Sequence, residues 1–374
     1  MAEKAGNNKK NSFYSLPRDS VFLKILMIIA LLYLFILSIT LLGAAFRLFG
    51  KEFAETIFGA TSNPLVGLMI GLLSTALLQS SSTTTSIVIG LVGSGMISFE
   101  NAIPMVMGAN IGTTVTNSIV SLAHISHSDE YRRAFAGSSL HDFFNVCSVI
   151  VLFPLQVQFN IIGRSAHAVE SLFVGFGGVQ FTSPLAVITK PVANEIILMT
   201  GGNAWLAALL SLFFLFVALR YIVKLLKSLV LSRVEIFFQR YIFRTPALGF
   251  LLGICLTALV QSSSITTSLI VPLCGAGILS IEQVYPYLLG ANIGTTITGF
   301  LASFVTGSHE AVSLAFAHLI FNAYGIAIFW PLKKIPISIA RLFSRMVLKS
   351  KLIPIIYIII AFFLIPGFII FFLR

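Results

Sequence analysis

Long apolar stretches follow one another along the chain, separated by short polar or basic breaks. Residues 21–46 form the first and predict a membrane-spanning helix, since about 20 apolar residues cross a hydrocarbon core of about 30 Å. The next stretch, residues 64–99, fits neither one span nor two. A single helix of that length would reach about 54 Å, and two full spans would need about 40 apolar residues plus a turn. The polar cluster Gln79-Ser80-Ser81-Ser82 falls near its middle. This pattern predicts a re-entrant hairpin of two half-length helices, with the polar tip enclosed by protein or a water-filled cavity. Residues 100–124 then have the length of one span but are interrupted by Asn110-Ile111-Gly112-Thr113-Thr114, which predicts a broken helix. Residues 131–155 read as an ordinary span carrying His141, Asp142 and Asn145.

The second half repeats this plan. Residues 67–122 align with 249–304 without a gap, and 27 of 56 positions are identical. Gln79-Ser80-Ser81-Ser82 returns as Gln261-Ser262-Ser263-Ser264, and Asn110-Ile111-Gly112-Thr113-Thr114 as Asn292-Ile293-Gly294-Thr295-Thr296. His141, Phe144, Asn145 and Pro154 match His318, Phe321, Asn322 and Pro331. Self-similarity on this scale marks an internal duplication. The predicted order is a tail (1–20), a first span with an outer loop (21–62), repeat one (63–156) and an outer segment (157–202). A span with a basic amphipathic helix (203–245), repeat two (246–332) and a basic interfacial helix with a last span (333–374) complete it.

Composition narrows the class. With 57% hydrophobic and 10% charged residues, the chain lacks the charge that coats a soluble domain. That excludes a soluble enzyme and a nucleic-acid binder, and runs of this length are unlike the alternating strands of a barrel. The fold expected is an all-α integral membrane protein of two inverted repeats. The net charge of +11 sits mostly at the edges of apolar runs. With the N-terminus cytoplasmic, about 19 Lys and Arg fall inside and about 5 outside, as the positive-inside rule requires. The two repeats then enter from opposite faces, and the C-terminus lies outside. Inverted repeats of this kind are typical of secondary transporters with a site at the repeat interface. No cleavable leader is expected, because residues 21–46 are too long for a signal core. Cys147, Cys255 and Cys274 lie within apolar runs, so no disulfide is expected.

The polar clusters supply the candidate chemistry. Hydroxyls and half-helix amides at Ser80, Ser81, Ser82, Thr83 and Thr84, with Ser262, Ser263, Ser264 and Thr266, suit an anion. Neutral oxygens at Gln79, Gln261, Asn110, Thr113, Thr114, Asn292, Thr295 and Thr296 suit a monovalent cation better than a divalent one. Asp142 is the one acid placed deep in a span, where a carboxylate is costly and a functional candidate. His141, Asp142 and Asn145 share a helix flank, while the second copy has His318 and Asn322 but Leu319 in place of the acid. Interhelical hydrogen bonding is an equally good account of the two histidines, and close helix packing remains an alternative for the Ser and Thr clusters. No P-loop lysine, Cys/His metal set or paired-carboxylate site is present, so neither an enzyme nor an ATP-driven pump is expected, and no cofactor.

These motifs resemble the type II sodium-dependent phosphate cotransporters. The paired Gln-Ser-Ser-Ser tips, the two Gly-Ala-Asn-Ile-Gly-Thr-Thr stretches and the run from Arg132 to Asn145 carry the resemblance, which covers roughly residues 63–331. It implies sodium-driven uptake of inorganic phosphate across a bacterial cell membrane by alternating access, with phosphate and sodium at the tips. It also implies that Asp142 is the acid that distinguishes electrogenic members, and Asn145 and Asn322 join the expected sodium set. A related branch associated with phosphate export, and a non-transporting or channel-like protein, stay open as alternatives. A channel would need charge rings or a carbonyl filter, which the sequence lacks.

Overall fold

The computed structural model describes residues 21–177, 184–241 and 245–373. The expected N-terminal tail, part of the outer segment (178–183) and the end of the basic stretch (242–244) lie outside them. The described residues are helical, with no strand among them. In chain order, α1 (Val21–Leu48) and α2 (Gly50–Thr61) lead into α3 (Pro64–Leu78) and α4 (Ser81–Ser94). Next come α5 (Phe99–Gly112), α6 (Val115–Ser121), α7 (Ser128–Phe159), α8 (Ile161–Gly177) and α9 (Pro184–Met199). A long α10 (Ala204–Tyr241) precedes α11 (Pro246–Val260), α12 (Ser263–Ser268), α13 (Ile270–Gly275), α14 (Ile281–Thr306) and α15 (His309–Phe329). The chain continues through α16 (Lys334–Met346), α17 (Ile353–Ile359), a π-turn (Ile360–Leu364) and α18 (Ile365–Leu373). Among the described residues, six helices are long and apolar enough to cross a membrane: α1, α7, the first part of α10, α14, α15 and the segment from α17 to α18. Exposed Leu, Ile and Phe cover their outer faces, as at Ile29, Ile150, Phe213 and Phe368. This is a multi-spanning all-α membrane protein.

Each half-length helix pair is built from local signals that recur in the second copy. Pro64 and Pro246 stand in the first turns of α3 and α11, where a missing N–H costs nothing. Asn63 and Thr245 cap those turns by accepting from Leu65 N (3.0 Å) and Leu248 N (3.3 Å). At about 22 Å, α3 and α11 are too short to cross. One difference between the copies has a covalent cause. Helix α4 is continuous, but its counterpart divides between Ser268 and Ile270. Pro272 has no N–H to offer the Ser268 carbonyl and its ring crowds that group; the first copy has Gly90 there.

The first helix of each hairpin packs backbone to backbone on the helix that follows the hairpin. A Cβ at Gly108 would lie 1.9 Å from the Leu68 carbonyl oxygen, and one at Gly290 would lie 2.0 Å from that of Phe250. Gly112 and Gly294 stand one turn on, so each seam is the small-xxx-small contact that membrane helices use to approach closely.

Two expectations are corrected. The Asn-Ile-Gly-Thr-Thr stretch interrupts only the first copy, where Thr113 and Thr114 separate α5 from α6. In the second copy α14 runs unbroken through Asn292–Thr296. In the first copy Thr114 Oγ1 has two acceptors within reach, Ile111 O of its own turn (2.9 Å) and Asp142 Oδ1 (3.0 Å). Its counterpart Thr296 donates back to Ile293 O (2.7 Å) within its own helix, and the residue matching Asp142 is Leu319. The span and the basic amphipathic helix expected over residues 203–245 run on as one helix, α10, whose first part is the apolar span. The last span is not a plain α-helix either: the π-turn widens it one turn before Pro366, relieving the clash of that ring with the Phe362 carbonyl.

Candidate functional site

Both hairpins turn on a glutamine in the left-handed region. Gln79 has φ 54° and ψ 28°, and Gln261 has φ 56° and ψ 27°. Such a conformation is uncommon outside glycine and carries strain. The side chains compensate in the same way in both copies. Each Nε2 donates to a carbonyl of its own helix, Ala76 O or Ala258 O. Each Oε1 accepts from the following helix: from Thr116 Oγ1 and from Thr298 Oγ1, both at 2.7 Å. Ser80 and Ser262 then cap the next helices, accepting from Thr83 N (3.2 Å) and Ile265 N (3.4 Å).

The two tips meet. Ser82 Oγ donates to Gln261 O across 3.4 Å, a bond between residues 179 apart in sequence. Gln79, Ser80, Ser82, Thr83, Gln261, Ser262 and Ser264 line one cleft of about 420 Å³ with Thr116. Ser81, Thr84, Ser263 and Thr266 are buried behind it rather than lining it. Thr84 Oγ1 donates to Ser80 O (3.2 Å) and Thr266 Oγ1 to Ser262 O (3.1 Å). The fourth wall is α10, which contributes Phe216, Leu219, Arg220, Val223 and Lys224. Sequence reasoning missed this wall. Basic residues at the edges of apolar runs read as membrane anchors, although four-residue spacing puts Arg220 and Lys224 on one helix face.

A second polar group lies apart from the cleft and is wholly buried. It joins the two copies reciprocally: His141 Nε2 is 2.6 Å from Asn292 Oδ1, and His318 Nε2 is 3.3 Å from Asn110 Oδ1. Asn145 Nδ2 donates to Asn110 O (2.9 Å), and Asn322 Nδ2 donates to His318 O (3.1 Å) and Asn292 O (3.5 Å). Asp142 sits beside this group, accepting from Thr114 and from Tyr357 of α17. Thr113 and Thr295 are buried nearby in sequence, but their hydroxyls donate to Ala109 O and Ala291 O of their own helices. The symmetry is incomplete at one place. Asn110 Nδ2, Asn322 Oδ1 and the Nδ1 atoms of His141 and His318 are buried without a hydrogen-bond partner among the described residues. Orphaned polar atoms of this kind cost about 1–3 kcal/mol each and mark a place where a polar guest would be stabilising.

A further side-chain link joins the two copies. Asn117 Nδ2 donates to Thr267 Oγ1 at 2.8 Å, joining α6 to the second hairpin. The counterpart positions are Gly299 and Thr85; Thr85 Oγ1 has no hydrogen-bond partner among the described residues.

Paired tips on strained glutamines, a buried neutral-oxygen network and spanning helices define a multi-spanning transport protein rather than an enzyme. The comparisons agree. The chain matches the Na+/Pi-cotransporter family over residues 34–182 and 213–364, and it belongs to that family. It is 34% identical to sodium-dependent phosphate transport protein 2A of Ovis aries, over 92% of this chain and 67% of that protein. It is 31% identical to sodium-dependent phosphate transport protein 2B of Homo sapiens, over 92% of this chain and 64% of that one. No solved structure matches it significantly.

Proposed function

We propose that this chain couples sodium entry to uptake of inorganic phosphate by alternating access between its two repeats. The observation that carries this reading is the cleft in which both tips converge, with hydroxyls from each copy and the cations Arg220 and Lys224 opposite. Phosphate binds there: Ser82 and Ser264 supply hydroxyls, and the start of α4 supplies backbone amides and the positive end of its dipole. The two cations neutralise the charge of the arriving dianion. Ser81, Thr84, Ser263 and Thr266, being buried behind the cleft, stiffen the tips rather than touch the anion.

Sodium is the coupling ion. Gln79 and Gln261 present amide oxygens at the tips. Asn110, Asn145, Asn292 and Asn322 present them in the buried network, where the unpartnered Asn322 Oδ1 is an acceptor awaiting a cation. Thr113, Thr114, Thr295 and Thr296 shape the helices that carry these asparagines. Asp142 holds a negative charge beside the network and makes the cycle electrogenic. The family name and the names of the relatives support both substrates. The distribution of basic residues supports a cell membrane with the N-terminus cytoplasmic, the C-terminus outside and the repeats inverted.

The deciding experiment is radiolabelled phosphate uptake into proteoliposomes under an inward sodium gradient. Accumulation that stops when choline replaces sodium at constant pH supports the reading. Full uptake in choline under a proton gradient overturns the choice of ion. Loss of preloaded phosphate in place of uptake identifies an exporter.

A further inference from the structure

Far from the hairpin tips in sequence and in lining residues, a second cavity of about 240 Å³ opens between α7, the end of α13, the start of α14 and α16. Four arginines line it: Arg132 and Arg133 from the first turns of α7, and Arg341 and Arg345 from α16. Glu282 is the one acid in the lining, and it takes Arg341 as its partner. Asp129, outside the lining, lies 3.7 Å from Arg132 and is well exposed. Arg133 Nε donates to Gly275 O (2.8 Å), which fixes its guanidinium at the wall. Arg132 Nε is buried with no hydrogen-bond partner, and Arg345 has no ion-pair partner among the described residues. Ser280, the N-cap of the 26-residue α14, faces the same space, adding the positive end of a long helix.

Positive-inside anchoring accounts for arginines at helix ends, but it does not gather four of them into one walled cavity. Arg132 and Arg133 are half-buried there while Arg341 and Arg345 reach solvent, and like charges gathered around one space repel unless an anion is shared between them. The level of the cavity is set by the helices around it. Helices α7 and α14 both begin here and run into the membrane. Helix α16 buries Pro336, Ile337, Ala340 and Ser344 against the protein and leaves Leu342 and Met346 exposed beside its arginines. Exposed apolar residues next to arginines describe a helix lying in the headgroup region.

We infer that this arginine cavity binds a phosphate-bearing anion at the membrane surface, in the first instance the headgroup of an anionic phospholipid. Basic pockets at the ends of spanning helices take such headgroups, and planar guanidinium forks match phosphate oxygens. Free inorganic phosphate presents the same chemistry. The site is separate from the transport cleft, and the inference does not rest on the transport reading.

The test is arginine footprinting of the purified full chain in a zwitterionic detergent. Phenylglyoxal modification of Arg132 and Arg345 is read by peptide mass spectrometry with dioctanoyl phosphatidylglycerol, dioctanoyl phosphatidylcholine or inorganic phosphate present. Saturable protection by phosphatidylglycerol and not by phosphatidylcholine is the result expected. Protection by inorganic phosphate instead keeps the site and assigns it to the free anion. Protection by none of the three, or equally by both lipids, overturns the inference. In native mass spectrometry, Arg132→Gln with Arg345→Gln should weaken the phosphatidylglycerol adduct by roughly thirtyfold. Unchanged affinity in that variant also overturns the inference, and if it fails to fold, the wild-type footprint alone decides.

Discussion

Asn292 donates through Nδ2 to Asn145 Oδ1 across 2.7 Å, tying a helix of the second repeat to one of the first. The matching pair, Asn110 and Asn322, leaves its donor and its acceptor both unpaired. Two substitutions of the same kind should therefore part company. Asn145→Leu strips partners from Asn292 Nδ2 and the Asn110 carbonyl, and should cost about 2–4 kcal/mol. Asn322→Leu loses the donor bonds to His318 O (3.1 Å) and Asn292 O (3.5 Å) but leaves no side chain without its partner, and should cost less stability while raising the sodium concentration needed for half-maximal uptake. Thermal midpoints in detergent and sodium titrations of uptake check the pair; equal stability losses would remove Asn322 from the sodium site.

At the tips, Ser82→Ala and Ser264→Ala should each raise KM for phosphate while the protein still reaches the membrane. Each loses one hydroxyl from the lining of the cleft, a change of about 1–2 kcal/mol or roughly tenfold. Thr84→Ala, whose hydroxyl is already spent on Ser80 O, should leave KM close to wild type. Phosphate titrations on the three variants at saturating sodium make the comparison.

The proposed role of Asp142 separates charge movement from phosphate movement. A fixed charge about 4 Å from a sodium ion is worth roughly 4 kcal/mol at an effective dielectric near 20, enough to decide whether a weak site fills. Asp142→Asn and Asp142→Gly should keep sodium-dependent uptake detectable and lose the net inward current. The readout is charge moved per phosphate in voltage-clamped membranes. A ratio unchanged in both variants would make the carboxyl structural, a partner for Thr114 and Tyr357 only.

On the proposed reading Arg220 and Lys224 act on phosphate through an open cleft, so each should matter modestly. Charges exposed to water contribute up to about 1 kcal/mol, and Arg220→Gln should raise KM for phosphate by about fivefold or less, with kcat little changed. The effect should shrink as salt rises. Uptake at two ionic strengths, held at constant sodium, tests this.

The tips were legible in sequence because duplication exposed them: Gln79 and Gln261 would each look like an ordinary polar interruption, and only their recurrence points to a built site. Position within the tip was not legible. Thr83 lines the cleft while Thr84 turns its hydroxyl into its own helix, a distinction set by helical rotation and not by residue type. The histidine–asparagine exchange was hidden for another reason, since its partners lie 151 and 208 residues apart. Arg220 escaped because charge near a span's end reads as anchoring until the packing of α10 against the tips is known. The identical Asn-Ile-Gly-Thr-Thr stretches led to one broken and one continuous helix. Outside the motif the copies differ in what faces the second threonine, the acid at 142 in one and the leucine at 319 in the other.

The glycine seams divide the molecule into pieces that can and cannot slip. Where a helix carbonyl occupies the place of a missing Cβ, as at Gly108 and Gly290, sliding by one residue would drive a side chain into the opposing main chain. Helices α3 and α5 are thereby welded, as are α11 and α14. Joints resting on a few side-chain bonds, Ser82 to Gln261 and Asn117 to Thr267, have no such lock. In the proposed cycle the repeats part at such joints and not at the seams, so spin labels placed across a seam should keep a fixed distance while labels across the tips report the stroke.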